Sequence, residues 1–104
     1  MKLRWKDEAV QDLKGIHEYL EMFHSYDMAR RTVVEIRTAI RSLKKFPGMG
    51  RPGQEPGTRE LKHTKLPHII VYRIVGDVIE VLRIWHPAQN RSKEYEVHVR
   101  FRIQ

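Results

Sequence analysis

Two β-branched runs, His68-Ile69-Ile70-Val71-Tyr72-Arg73-Ile74-Val75 and Val78-Ile79-Glu80-Val81-Leu82-Arg83-Ile84-Trp85, are separated only by Gly76-Asp77. A two-residue connection leaves such runs no arrangement but an antiparallel hairpin. Glycine at its first position is what a type II′ turn requires. The turn also sets a register, with Val75 opposite Val78, Arg73 opposite Glu80, Tyr72 opposite Val81 and Ile70 opposite Arg83. In that register Tyr72 shares a face with Arg83, Trp85 and His68. Arg73 and Glu80 fall on the other face as a cross-strand ion pair worth ~0.2–1 kcal/mol.

The first half of the chain has a different period. Ala9, Leu13, Ile16, Leu20 and Phe23 recur at spacings of four and three, which predicts one apolar stripe on a helix over residues 8–23. Asp7 is the expected N-cap, and Glu8 adds negative charge to the first turn. His24-Ser25-Tyr26-Asp27 interrupts the stripe, with Ser25 or Asp27 as the next cap. Ala29, Val33, Ile36, Ile40 and Leu43 repeat the spacing to about residue 46. Two stripes of matched length across a short connection predict an antiparallel helical hairpin. A DNA-binding helix-turn-helix fits less well, because its helices are shorter and cross steeply.

Before the first helix, Leu3 and Trp5 alternate with Lys2 and Arg4, as in a short strand over residues 1–5. After the second, residues 47–58 hold three prolines and four glycines with Arg51 among them, and are expected to be a loop. Residues 59–64 are a short polar strand. At the end of the chain Tyr95, Val97, Val99, Phe101 and Ile103 alternate with Glu96, His98, Arg100 and Arg102. This period of two predicts an extra strand over 94–103, at a sheet edge or against a partner. The expected architecture is one α+β domain over 1–104: an N-terminal strand, a helical hairpin over 8–46, a loop over 47–58 and an antiparallel sheet over 59–86.

Charge narrows the function classes. The net charge of +7 is uneven: residues 30–65 carry 10 basic and 3 acidic side chains, whereas residues 1–29 carry 4 and 6. A local positive field of this kind favours nucleic acid or an acidic protein segment, unless it serves only solubility. The chain has no cysteine, which removes disulfides and thiolate metal sites and fits a reducing cytoplasm. No apolar run approaches the ~18 residues that span a membrane. The six histidines lack tight ligand spacing, and no phosphate-cradling glycine motif precedes a helix. No metal and no cofactor are expected.

Several residues are candidates for a working site. His86 follows the last strand, a common place for a catalytic group, although a lone histidine there is also compatible with a structural role. Arg83 sits in an apolar strand, where a guanidinium needs a partner or an anionic ligand, and no acid on its own strand shares its face. Arg51, Arg59 and Lys62 could line a groove for phosphates, or form a solvated edge. Gln89 lies in the loop after His86. Arg30, Arg37, Arg41 and Lys44 fall along one flank of the second helix, as a solvated face or as a receiver for an acidic segment.

The order of these features resembles the RelE/ParE superfamily of toxin–antitoxin toxins. The resemblance is carried by Ala9 and Asp12-Leu13, by Leu43…Phe46-Pro47…Gly50-Arg51, by Arg59-Glu60-Leu61, and by Pro67…Ile70-Val71-Tyr72-Arg73 with Val81-Leu82-Arg83-Ile84-Trp85-His86-Pro87-Ala88-Gln89. It covers residues 2–90. It implies a cytoplasmic type II toxin held inactive by a cognate antitoxin, whose C-terminal segment wraps over the helices and sheet. RelE-like members cut mRNA on the ribosome without metal; ParE-like members poison DNA gyrase and are not enzymes in the usual sense. By this resemblance His86 and Arg83 are the candidates for acid/base and phosphate roles, with Arg59 or Lys62 assisting. Arg51, Tyr72 and Gln89 are candidates for target binding, and Arg30, Arg37, Arg41 and Lys44 for antitoxin binding. Nuclease members end in a tyrosine-bearing or lysine-rich active strand; here Pro87-Ala88-Gln89 follows His86 and Tyr95 lies well beyond. An arginine that some of them carry just before the Val-Tyr pair is Ile69 or Ile70 here. The expected branch is therefore ParE-like, with a RelE-like metal-free endoribonuclease and a non-toxic basic binding module as the alternatives.

Overall fold

In the computed structural model, residues 1–86 are described. Strand β1 (Lys2–Trp5) leads into α1 (Asp7–Phe23) and α2 (Tyr26–Ser42). Strands β2 (Arg51–Pro52), β3 (Arg59–Lys62), β4 (Ile69–Val75) and β5 (Val78–Trp85) follow. The five strands form one sheet in the order β1-β5-β4-β3-β2. The expected antiparallel sheet holds for β2 to β5, but β1 pairs parallel with β5, placing Lys2 beside Val78 and Trp5 beside Val81. The alternation of Leu3 and Trp5 predicts a strand but carries no direction. The tail strand expected over 94–103 lies outside the described residues.

The helices start and stop for local reasons. The N-cap of α1 is Lys6, not Asp7; Asp7 is the first helical residue, where its charge still faces the positive end of the helix. Ser25 caps α2 by accepting the Met28 N–H at 3.0 Å. The α2 helix ends at Ser42, earlier than its apolar stripe suggests. The stripe continues because the Leu43, Lys44 and Lys45 N–H groups bond three residues back, to Ile40, Arg41 and Ser42. That tighter coil keeps Leu43 on the buried side, fully covered.

One face of the sheet packs on the helices. Leu61, Ile70, Tyr72, Ile79, Val81 and Ile84 meet Ala9, Ile36, Ile40 and Leu43 in a single cluster. Burying such side chains stabilises the fold by about 1.5–3 kcal/mol each. The hairpin turn is as expected: Gly76 has φ +61°, and no non-glycine residue has positive φ among those described. The register is not. It runs as predicted from Val75–Val78 to Tyr72–Val81, then shifts, so that Arg83 lies opposite Val71 rather than Ile70. The β-bulge adds one residue to β5 and exchanges its faces. Ile84 thereby reaches the core, while Arg83 and Trp85 turn to the face away from the helices. Tyr72 is therefore on the opposite face from Arg83 and Trp85, a correction to the sequence-derived register that no propensity signal announces.

Candidate functional site

Beyond Trp5 the first strand is over and the chain turns into α1, so among the described residues β5 runs on without a strand neighbour on that side. Asp12 of α1 occupies the gap. Its carboxylate accepts the Ile84 backbone N–H at 2.9 Å and two bonds from Arg83, Nε at 2.8 Å and Nη2 at 3.0 Å. Both side chains are mostly covered, 20% exposed for Arg83 and 17% for Asp12. The Arg83 guanidinium also lies 4.1 Å from the Trp85 ring centroid. The partner required for an arginine in this strand comes from the first helix, 71 residues away in sequence. The local sequence signals missed it; Asp12 entered only through the family resemblance.

At the far end of the same strand pair, His86 and His68 meet edge to face with ring centroids 5.4 Å apart. His86 is exposed, while His68 is buried and its Nδ1 has no hydrogen-bond partner among the described residues. Burial, with smaller contributions from His86 and His63, pushes the His68 imidazole down to about 4, so it is neutral at physiological pH. His63 is itself 3.1 Å from Glu35 of α2. Three histidines thus gather where β3 and β5 end and β4 begins. Their sequence spacing conceals this, because only strand pairing brings them together. Among the described residues, no group of three or more histidine and acidic side chains is arranged to hold a metal ion.

Tyr72 and Arg59 have a different task from the one their types predict. Tyr72 is fully buried; its hydroxyl donates to the Pro47 carbonyl at 2.6 Å and accepts the Gly50 N–H at 3.0 Å. Arg59 Nη2 donates to the Gly48 carbonyl at 3.1 Å and also to that of Gly50. Together they clamp the chain after α2 onto the sheet. Gly50 is needed there, since a Cβ would lie 2.8 Å from the Tyr72 hydroxyl and from the Glu60 carbonyl. Fully covered, Tyr72 anchors this loop from beneath. Residues 47–58 are likewise not wholly irregular, because Arg51 and Pro52 form β2 against β3.

The remaining cations divide between two surfaces. Pairing of Arg51 with Glu60, Lys62 with Ile69 and Val71 with Arg83 puts Arg51, Lys62 and Arg83 on the face away from the helices. Arg73 and Arg4 share that face and both hold Glu80, at 2.6 and 3.3 Å. Arg73, by its hydrogen bond first, keeps the Glu80 carboxyl below the usual carboxylate range. Along α2 and the turn after it, Arg30 pairs with Asp27 at 3.6 Å, while Arg37, Arg41 and Lys44 are exposed with no ion pair among the described residues. Gln89 lies outside the described residues.

Comparison with known proteins agrees with this arrangement. The family described as ParE toxin of type II toxin-antitoxin system, parDE, matches residues 3–91. The protein Y4kP of Sinorhizobium fredii is 41% identical over 88 residues, 85% of this chain and 90% of that protein. Toxin RelE2 of Caulobacter vibrioides is 31% identical, over 82% of this chain and 93% of that toxin. A chain in the structure of the chromosomal ParDE system of Pseudomonas aeruginosa superposes with a TM-score of 0.77 at 30% identity, covering 83% of this chain and 95% of that one. The fold, the order of its motifs and these likenesses agree: the chain belongs to the ParE toxin family of type II toxin–antitoxin systems, within the RelE/ParE superfamily.

Proposed function

We propose that this toxin arrests growth by acting on DNA gyrase in the cytoplasm and is neutralised by a cognate antitoxin. The observation that carries the reading is the ParE family match across 3–91, which includes the strand bearing Arg83. The geometry supports it. Metal-free RNA cleavage needs a base, an acid and cations around one phosphate. Here Arg59 is spent on loop carbonyls and Arg83 on Asp12, on opposite faces of the sheet.

The antitoxin would cover the helical hairpin. The α1 helix has an apolar stripe, yet only Ala9 in it is fully buried. Tyr19, Met22 and Phe23 stand 58%, 75% and 64% exposed. Such an uncovered apolar surface is a docking surface for a partner helix, and the exposed Arg37, Arg41 and Lys44, toward the other end of the hairpin, favour an acidic continuation of it.

A second reading, an mRNA endoribonuclease acting on the ribosome, is favoured by the likeness to Toxin RelE2 and by the His68–His86 contact. Purified toxin separates the two. The gyrase reading expects inhibited supercoiling and trapped DNA cleavage, with intact mRNA in a translating extract. Ribosome-dependent mRNA cleavage with unaffected gyrase reverses the assignment. Co-purification with the product of a short adjacent reading frame tests the antitoxin.

A further inference from the structure

The segment that Tyr72 and Arg59 hold in place presents its side chains outward. Phe46 is 61% exposed and Met49 48%, and with Gly48 they line one open, almost wholly apolar depression. Large apolar side chains held outward in a tightly bonded turn are unusual, because nothing in the fold gains from their exposure. The backbone beneath them is fixed at the Pro47, Gly48 and Gly50 carbonyls and at the Gly50 N–H. A surface already ordered in this way loses little further entropy when it is covered.

The rim is cationic. Lys44 and Lys45 precede Phe46, Arg41 lies one helical turn before Lys45, and Arg51 follows the depression. Arg59 lies beneath it. Among the described residues no carboxylate pairs with Arg41, Lys44, Lys45 or Arg59. Arg59 is partly buried, and among the described residues its Nε has no partner and its Nη2 donates to carbonyls. A partly buried cation without a counter-ion favours an anionic visitor.

We propose that residues 44–51 form a preformed docking platform for an acidic protein segment, which seats one apolar side chain between Phe46 and Met49 and sets its carboxylates against the surrounding cations. A protein segment suits the floor better than nucleic acid does. Single-stranded nucleic acid stacks on successive aromatic rings, whereas this floor has one ring, a pliable thioether and a glycine, which suits an aliphatic or aromatic side chain. The platform is separate from the exposed α1 surface and stands whether or not the toxin acts on gyrase.

The test uses the full-length protein and three fluorescein-labelled probes: a peptide of repeating Glu-Glu-Leu, one of repeating Glu-Glu-Ser, and a thymidine oligonucleotide. Fluorescence anisotropy should show saturable binding of the leucine peptide, at least ~10-fold tighter than the serine peptide. The double variant Phe46→Ser/Met49→Ser should lose that preference while its melting curve stays unchanged, because both side chains are exposed. Lys44→Glu/Lys45→Glu should weaken the leucine peptide by a further ~10-fold, and added salt should weaken it in the wild type. Three results overturn the proposal. These are no saturable binding of the leucine peptide below ~1 mM, equal binding of the two peptides, or oligonucleotide binding that Phe46→Ser/Met49→Ser abolishes.

Discussion

The carboxylate of Asp12 holds both Nε and Nη2 of Arg83, at 2.8 and 3.0 Å, and through the Ile84 N–H it closes the edge of β5 where β1 has ended. One side chain thus takes up a strand N–H beyond the end of β1 and fixes an arginine against Trp85.

Asp12→Ala takes two bonds from a mostly covered guanidinium and the side-chain acceptor from the Ile84 N–H. Breaking such a pair costs about 2–4 kcal/mol. Asp12→Asn keeps an acceptor for Ile84 but loses the charge, and is expected to cost roughly half as much. Urea unfolding measures both. A value within ~0.5 kcal/mol of wild type for Asp12→Ala, the range of ordinary surface changes, would show that the clamp is incidental.

The anchor under residues 47–50 is tested by Tyr72→Phe, which deletes one hydroxyl and strands the Pro47 carbonyl and the Gly50 N–H. The expected loss is about 1–3 kcal/mol, with little change in core packing. Its signature is local: the Gly50 amide should exchange with solvent faster, by hydrogen-exchange NMR. Gly50→Ala should destabilise as well, through the 2.8 Å approach of its Cβ to the Tyr72 hydroxyl. Unchanged Gly50 exchange in Tyr72→Phe would mean that Arg59 alone secures the loop.

These two clamps mark where sequence reading reached and where it stopped. The apolar spacing of α1 and α2, the Gly76-Asp77 turn and the strands on either side of it were legible, because each depends on residues close in sequence. Asp12 with Arg83, Tyr72 with Pro47, and His68 with His86 were not, because chain folding rather than local period brings them together. The bulge between Tyr72 and Arg83 had the widest effect. A single extra residue separated the groups expected on one face, leaving Tyr72 on the core side and Arg83 with Trp85 on the other. The cations of residues 30–65 were visible as a charge excess, but only the fold separates loop anchors such as Arg59 from exposed groups such as Arg37.

Stability should fall as the medium is acidified, in two steps. His68 has its folded value at about 4, against 6.5 when unfolded. Between those values the unfolded chain binds a proton that the folded chain refuses, so stability is complete above 6.5 and declines as pH drops toward 4. At 1.36 kcal/mol per pH unit the loss reaches up to about 3 kcal/mol. His68→Gln should flatten this window. Below it Glu80, whose carboxyl is held low by Arg73, adds a second loss as it takes up its proton. Urea midpoints across pH, with NMR titration of the histidines, check both steps; a His68 resonance titrating near 6.5 would contradict the first.

The role of the β5 end is decided by pairing two variants with two readouts. His86→Ala removes an exposed imidazole, and its effect on stability should be small. If the toxin acts on gyrase without acid–base chemistry, this variant should arrest growth as wild type does and inhibit supercoiling equally. If it cleaves mRNA with His86 as acid or base, activity should drop by roughly 10²–10⁴-fold. Arg83→Lys reads the other side. A lysine keeps the charge near Asp12 but cannot make the two-pronged bond, so it should lower the melting temperature while testing whether Arg83 contributes beyond the fold. Toxicity lost in proportion to stability assigns Arg83 to the clamp alone. Toxicity lost at a temperature where Arg83→Lys remains folded assigns the guanidinium, held against Trp85, to contact with the target.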